Sequence, residues 1–252
     1  MSHLYTFGLA PLLSPEEREI ISGRVPERLC DYAARNGFPA LLQWADRSEW
    51  TIHTFNLAIT SGHLETVMWL HVNGGITPSN ACDTAARFGH LEMLKWLQGH
   101  GARCDTYTCR SAAMGGHLKV LQWLRDNNCP WNSVSCKTAA LYGHLEVLQW
   151  LHANGCPWNT ESCWAAVDGG HLSILQWLHT NGCPWDEHTC WIAAFNGNLE
   201  MLQWLRANGC PWIKHACLEA AHEDSTFRRC CSPATVCNMN HVFEWIQSGD
   251  CL

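Results

Sequence analysis

The chain has 252 residues, with 16 lysines and arginines against 23 aspartates and glutamates, so its formal charge near neutral pH is −7. This balance excludes a dedicated surface for nucleic acid or anionic lipid, because such surfaces bind through clustered basic side chains. With 47% apolar and 15% charged residues, the chain is expected to bury a substantial core. No stretch reaches the roughly 18 uncharged apolar residues of a membrane span.

Residues 1–23 are predicted to form an N-terminal capping segment. Ser14 precedes Pro15, and Glu17 lies three residues after the serine, which is typical of a helix start. The segment lacks the basic region and cleavage pattern of a secretory signal, and the chain has no Asn-x-Ser/Thr sequon. An intracellular, cytoplasmic location is therefore expected.

Residues 24–252 are dominated by a period of 27 residues, which is kept by a tryptophan, a cysteine and a glycine. The tryptophans are Trp69, Trp96, Trp123, Trp150, Trp177 and Trp204, and the cysteines, here called the ladder cysteines, are Cys82, Cys109, Cys136, Cys163, Cys190 and Cys217. The glycine is followed by histidine in five units and by Asn198 in the sixth. A fixed period of this size predicts a solenoid of identical supersecondary units.

One unit, residues 136–159, shows the expected pair of helices. The first helix is predicted over about Ser135–Tyr142 and ends at Gly143, where a left-handed turn favours glycine. The second is predicted from near His144 to near Gly155, with apolar residues over a wide arc. So broad an apolar face indicates a helix packed between neighbours on both sides, as in a stack.

Eight units are predicted within one solenoid over residues 24–252. Their tryptophan anchors are Trp44, Trp69, Trp96, Trp123, Trp150, Trp177, Trp204 and Trp245. The first and last units are atypical, as terminal caps usually are, and the last holds an aperiodic insertion at about 222–237.

Residues 139–156 resemble the ankyrin repeat, whose pattern is Ala-Ala-x-x-Gly-His-x-x-x-Val-x-x-Leu-x-x-x-Gly-Ala, with equal spacing throughout. The family's repeat is about 33 residues long, and the missing residues fall between Asn159 and Cys163, where ankyrins place a β-hairpin finger. The resemblance implies an all-α, ankyrin-like solenoid of about eight helix-turn-helix repeats with shortened loops that lack the finger. The Trp- and Cys-rich Gly-Cys-Pro-Trp pattern also resembles arrays of large DNA viruses of amoebae and of protists, which for a viral chain implies the host cytoplasm.

The repeated cysteines and histidines are predicted to be structural. Cys104, Cys109, Cys129 and Cys136 could be drawn as a zinc site, but zinc-bound sulfurs lie within about 4 Å of one another whereas stacked helices are about 8–10 Å apart. Free, buried thiols are expected instead. Since Asn198 replaces histidine in one unit, the histidines are predicted to make hydrogen bonds between units. The chain carries no nucleophile elbow, phosphate loop, zincin or kinase motif, so neither catalysis nor a cofactor is expected.

The repeated tryptophans are interpreted as core between repeats, with a stacking platform for a ligand as the alternative. Trp164 and Trp191 differ, because sibling units place Asp83, Arg110 and Lys137 in the same slot. A slot that accepts such different side chains is expected to be at least partly exposed.

Positions that vary between units are the candidates for binding, since fixed positions build the scaffold. In ankyrin-like stacks the variable positions face a concave groove, and exposed aromatic residues are typical of protein interfaces. The predicted groove residues are Arg87, Phe88, Arg110, Met114, Lys137, Leu141, Tyr142, Trp164, Asp168, Trp191, Phe195 and Asn196. The chain is therefore predicted to be a monomeric, non-catalytic scaffold that binds a partner protein. In the alternative, these side chains only complete the interfaces between repeats.

The insertion in the last unit holds an aperiodic cluster, Cys230, Cys231, Cys237 and His241. It suggests a metal- or ligand-binding regulatory module, although the spacing fits a zinc knuckle poorly and a capping loop is the alternative. A third function, substrate adaptor of a ubiquitin ligase, comes from the F-box that often precedes related arrays. Only about 23 residues precede the first unit, about half what that domain needs.

Overall fold

The computed structural model describes residues 28–43, 50–222 and 233–248. Within these residues the chain forms sixteen helices and no strand, arranged as eight consecutive helix pairs, here called units 1 to 8. The first helices of the units are α1 (Leu29–Asn36), α3 (Ile52–Thr60), α5 (Ala81–Arg87), α7 (Thr106–Gly115), α9 (Ser133–Leu141), α11 (Thr160–Asp168), α13 (Glu187–Phe195) and α15 (Lys214–Ala221). The second helices are α2 (Pro39–Leu42), α4 (Leu64–Val72), α6 (Leu91–Gly99), α8 (Leu118–Asp126), α10 (Leu145–Ala153), α12 (Leu172–Thr180), α14 (Leu199–Ala207) and α16 (Pro233–Ser248).

The units stack as a solenoid of two helical layers. Each first helix packs against the first helix of the next unit, in an unbroken series from α1 to α15. Seven of the eight units carry an alanine pair there, such as the fully buried Ala139 and Ala140, and small side chains let the helix axes approach closely. The second helices contact one another only sparsely. The first helices therefore form the more closely packed of the two layers, here called the inner layer.

The core between the two layers is built from the second helices. In unit 5, Leu148 and Leu151 are fully buried and Val147 nearly so, opposite Ala139 and Ala140 of the first helix. The same pattern in each unit joins the buried residues into one continuous cluster from Cys30 to Ile246. Because no unit buries its apolar face alone, the fold depends on contact between neighbours.

Local signals explain where the helices begin and end. The Asp105 carboxylate accepts a hydrogen bond of 2.7 Å from the Tyr107 amide, and the Asp105 amide donates to Thr108 Oγ1 at 3.1 Å, which forms a capping box before α7. Unit 5 begins with a similar cap from Asn132. At the other end of the first helix, Gly143 has φ of +82°, a left-handed conformation that favours glycine.

The all-helical solenoid expected from the 27-residue period is confirmed, and helix bounds differ from the predicted ones by about two residues. The predicted capping segment 1–23 and the anchor Trp44 lie outside the described residues. The insertion predicted at about 222–237 is partly described, and its last residues already belong to α16, which carries the anchor Trp245.

Candidate interaction groove

The candidate binding surface is the solvent-facing side of the first helices, here called the groove. Of the twelve predicted groove residues, Arg87, Phe88, Tyr142 and Asp168 are exposed and the other eight are partly buried. Phe88 and Tyr142 each leave 45% of their surface in solvent, a large fraction for aromatic side chains. Part of each predicted residue is thus accessible, whether or not a partner binds there.

Four rings on neighbouring first helices form a continuous cluster, here called the aromatic patch: Trp164, His188, Trp191 and Phe195. His188 and Trp191 stack with ring centroids 5.0 Å apart and planes 9° from parallel, and Trp191 and Phe195 stack at 5.1 Å and 14°. Trp164 on α11 meets the His188 ring of α13 at 4.8 Å and 75°. The patch therefore spans units 6 and 7.

Hydrogen bonds fix the edges of the aromatic patch. The indole Nε1 of Trp164 donates to Asp186 Oδ1 at 2.7 Å, and Asp186 also caps the start of α13. Next to Phe195, the Asn196 amide donates to Asp168 Oδ1 at 3.3 Å. The aromatic patch is thus held between two carboxylates.

The predicted row of groove aromatics is not continuous. Phe88, in unit 3, stacks on His90 of its own unit at 6.4 Å and has the Arg87 guanidinium 5.8 Å from its ring. The link between Trp164 and Trp191 is made by His188, which lies two residues before the ladder cysteine Cys190 and one turn before Trp191.

Polar side-chain contacts across the groove join some neighbouring units. Lys137 Nζ lies 2.8 Å from Glu161 Oε2, between units 5 and 6. Thr108 Oγ1 donates to Asp83 Oδ1 at 2.7 Å, between units 4 and 3. Burial raises the pKa of the Asp83 carboxyl, and the Thr108 hydroxyl partly opposes this.

The repeated histidines tie the units together, as predicted. In five units, Nε2 of the histidine lies 3.0–3.2 Å from a backbone carbonyl of the preceding unit, as between His144 and Met114 at 3.0 Å. The ring also lies over the glycine of that unit, so that a Cβ on Gly116 would come within 2.6 Å of His144 Nδ1. Asn198, which takes the place of this histidine in unit 7, accepts a hydrogen bond from the Met201 amide and caps α14.

The cysteines pair within units. In unit 4, the Sγ atoms of Cys109 on α7 and Cys129 after α8 lie 3.6 Å apart, and both thiols are buried and free. In units 3 and 5 to 7 the equivalent cysteines interact in the same way, namely Cys82 with Cys104, Cys136 with Cys156, Cys163 with Cys183 and Cys190 with Cys210. The hydrogen bond to Cys109 and burial raise the pKa of Cys129, which disfavours the thiolate. Across the described ranges, no three His, Cys, Asp or Glu side chains are placed to hold one metal ion.

The repeated tryptophans lie at the contacts between units on the other side of the molecule, which confirms their interpretation as repeat-interface residues. Trp158 meets Trp177 of the next unit at 5.7 Å and stacks on His152 of its own unit at 3.7 Å. In units 4 and 7, an arginine takes the place of that histidine, as where the Arg125 guanidinium lies 4.4 Å from the Trp131 ring centroid. These rings are partly buried against the core.

The predicted C-terminal metal cluster is only partly described. Cys230 and Cys231 lie outside the described residues, and Cys237 belongs to α16, although its side chain is not described. His241 is exposed and lines a cleft of about 360 Å³ with Asn196, Gly197, Asn198 and Leu199. Metal binding at this cluster stays a prediction. In the part of the chain that the structure describes, no helix is long and apolar enough to cross a membrane.

Comparisons with known proteins agree with this architecture. A family model described as "Ankyrin repeats (many copies)" matches residues 55–98, 82–125 and 109–152. The crystal structure of the human ASB11 ankyrin repeat domain superposes with a TM-score of 0.50 at 20% sequence identity, over 64% of this chain and 85% of that one. At this identity the likeness concerns the fold alone. No curated protein sequence matches the chain.

Proposed function

We propose that this chain, in which residues 55–152 are ankyrin repeats, is a non-catalytic scaffold that binds a partner protein along the groove of its first helices. Ankyrin repeats generally mediate protein–protein interaction, which supports this class of function. The groove residues named above are the proposed contact surface, and the protein is proposed to act as a monomer inside the cell.

The observation that carries the proposal is the contrast between fixed and variable positions. The residues that repeat from unit to unit build the scaffold. Alanines pack in the inner layer, histidines bond to carbonyls of the preceding unit, and cysteines form buried pairs. The residues that vary are on the solvent side of the first helices and include the partly exposed rings of Tyr142, Trp164 and Phe195. Such rings supply most of the binding energy in protein interfaces.

The repeated cysteines and histidines, which are residue types that often serve in catalysis, make structural contacts in this chain. A hydrogen bond with the Cys156 thiol and burial raise the pKa of the ladder cysteine Cys136, which disfavours the nucleophilic thiolate. Nε2 of the histidine in each Gly-His pair is held on a backbone carbonyl of the preceding unit. These arrangements favour a binding protein over an enzyme.

The test is capture of partner proteins from a cell lysate by the full chain and by a variant in which Tyr142, Trp164, Trp191 and Phe195 are changed to Ala. We expect the variant to lose the partners that the native chain captures. A matched control is Met68→Ala and Val72→Ala, which shortens exposed apolar side chains on α4, outside the groove. Helical content by circular dichroism verifies the fold. An unchanged partner set with an intact fold would contradict the groove.

A further inference from the structure

We propose that the partner segment is basic, and that its arginine side chains dock against the aromatic patch of units 6 and 7. This inference rests on the proposed function, since it names the chemistry of the partner that occupies the same groove. Three observations carry it: the distribution of charge along the chain, the geometry of the aromatic patch, and the way the chain itself uses arginine on tryptophan.

The negative charge of the chain is concentrated in one segment. Residues 1–137 carry twelve basic and twelve acidic side chains, and residues 206–252 carry four and five. Residues 138–205 contain no lysine or arginine and six acidic residues, namely Glu146, Glu161, Asp168, Asp186, Glu187 and Glu200. Six of the seven net negative charges therefore belong to the segment that carries Tyr142 and the whole aromatic patch.

The acidic residues of α11 and α13 frame the aromatic patch. Asp168 is exposed at the end of α11, where it accepts a hydrogen bond from Asn196, the residue after Phe195. One oxygen atom is used in this bond, and a carboxylate has capacity for several more. Glu161, at the other end of α11, is already paired with Lys137. Asp168 is therefore an exposed carboxylate beside the Phe195 end of the patch that can receive a cation.

The stacking geometry indicates where a cation would bind. Trp191 stacks with His188, three residues before it, and with Phe195, four residues after it. The rings at the two ends of the patch, Trp164 and Phe195, are each partly exposed. A guanidinium placed on Phe195 would lie near Asp168, so that it could stack on the ring and donate hydrogen bonds to the carboxylate at the same time.

The chain already uses this type of contact elsewhere. The guanidinium of Arg125 lies 4.4 Å from the ring centroid of Trp131, and that of Arg206 lies 4.7 Å from Trp212. Arginine is preferred to lysine for this role because its planar group stacks on rings and binds a carboxylate through two N–H donors. An acidic peptide or a nucleic acid would be repelled by the same charges.

The experiment measures binding of the full chain to fluorescein-labelled peptides of twelve residues by fluorescence anisotropy. The probe alternates arginine with serine, and two matched peptides carry glutamine or glutamate in place of arginine. We expect the arginine peptide to bind best and to weaken as salt is raised. Asp168→Asn and Trp164→Ala should each weaken its binding by about three- to fivefold, since the first removes an ion pair and the second a cation–ring contact. Asp168 is exposed, so its variant tests the inference even if the Trp164 variant is unstable.

The matched control is Glu200→Gln, which removes the same charge from the same acidic segment but on α14, in the outer layer. It should change binding less than twofold, within what a screened surface charge contributes. If Glu200→Gln weakened peptide binding as much as Asp168→Asn does, the binding would reflect general charge attraction, and the inference would be overturned. Stronger binding of the glutamine or glutamate peptide, or no binding of any peptide, would also overturn it. The groove itself fails only if the four-alanine variant keeps its lysate partners.

Discussion

At the scale of single residues, the Gly-His pair explains how identical units hold together. The glycine ends the first helix in a left-handed conformation, and it also leaves room for the histidine ring of the next unit. Gly170 is the informative exception, because the next unit has Asn198 in place of histidine. A Cβ on Gly170 would meet nothing within 4 Å, whereas one on Gly116 would clash with His144.

This difference predicts unequal effects of the same substitution. Gly116→Ala and Gly170→Ala both force alanine into a left-handed conformation, at φ of +74° and +75°, which costs about 1–2 kcal/mol. Gly116→Ala must in addition displace His144 from its carbonyl, so we expect it to lower the free energy of unfolding by about 1 kcal/mol more than Gly170→Ala does. Urea denaturation of both variants measures this. An equal decrease in the free energy of unfolding for both variants would mean that the histidine does not stabilise the contact between units.

A second residue-scale prediction concerns pH. Burial lowers the pKa of His117 below its ordinary value of 6.5, and the nearby His144 and His90 add to this effect. The folded chain therefore takes up this proton less readily than the unfolded chain does. The resulting loss of stability begins as the pH falls below about 6.5 and grows until the folded pKa is passed.

In His117→Gln, whose amide is able to donate to the Arg87 carbonyl, the free energy of unfolding should fall less between pH 7 and pH 5 than in the native chain. Chemical denaturation at several pH values measures the two slopes. Every other titrating group is shared by the two proteins. A slope that is unchanged by the substitution would show that His117 is not one of the groups that couple pH to folding.

At the scale of helices, units of similar sequence differ in whether the residue before the first helix makes a capping hydrogen bond. Asp105 caps α7 through a 2.7 Å hydrogen bond to the Tyr107 amide. Asn159 occupies the corresponding position before α11, but its side chain makes no capping bond and its Oδ1 is buried without a hydrogen-bond partner. The two positions form a natural pair for comparison.

Asp105→Ala is expected to lower the free energy of unfolding by about 1 kcal/mol, the usual effect of losing an N-cap. Asn159→Ala should change it by less than about 0.5 kcal/mol, because no bond is lost and an unsatisfied polar atom is removed. Thermal and urea denaturation of the two variants would reveal the difference. The account of these helix starts would be wrong if Asn159→Ala were the more damaging substitution.

Helix positions were predictable from the sequence because the 27-residue period, the glycines and the prolines mark each boundary locally. The contacts between side chains were harder to predict. The cysteine pairs were missed, although a spacing of 20 residues recurs from Cys109 to Cys129 and from Cys136 to Cys156. The ladder of identical residues suggested contacts between units, but the actual partner lies in the loop after the second helix. Which residues meet in the groove depends on rotamers, and periodicity does not determine these.

At the scale of the whole molecule, the described residues form a solenoid in which the repeated residues stabilise the stack and the variable residues face solvent. The stack is held together by the packing of each first helix on the next and by the residues that repeat from unit to unit. The stability of each unit therefore depends mainly on its neighbours. The solvent side of the first helices is left to residues that differ from unit to unit. Charge is distributed in the same uneven way, since units 1 to 4 are nearly balanced while units 5 to 7 are acidic.

The most direct test of the groove as the binding surface is hydrogen–deuterium exchange of the full chain with and without a partner captured from lysate. The account predicts that binding slows exchange in the first helices α9, α11 and α13, and leaves the second helices α10, α12 and α14 unchanged. Slower exchange confined to the second helices, with the first helices unaffected, would contradict it.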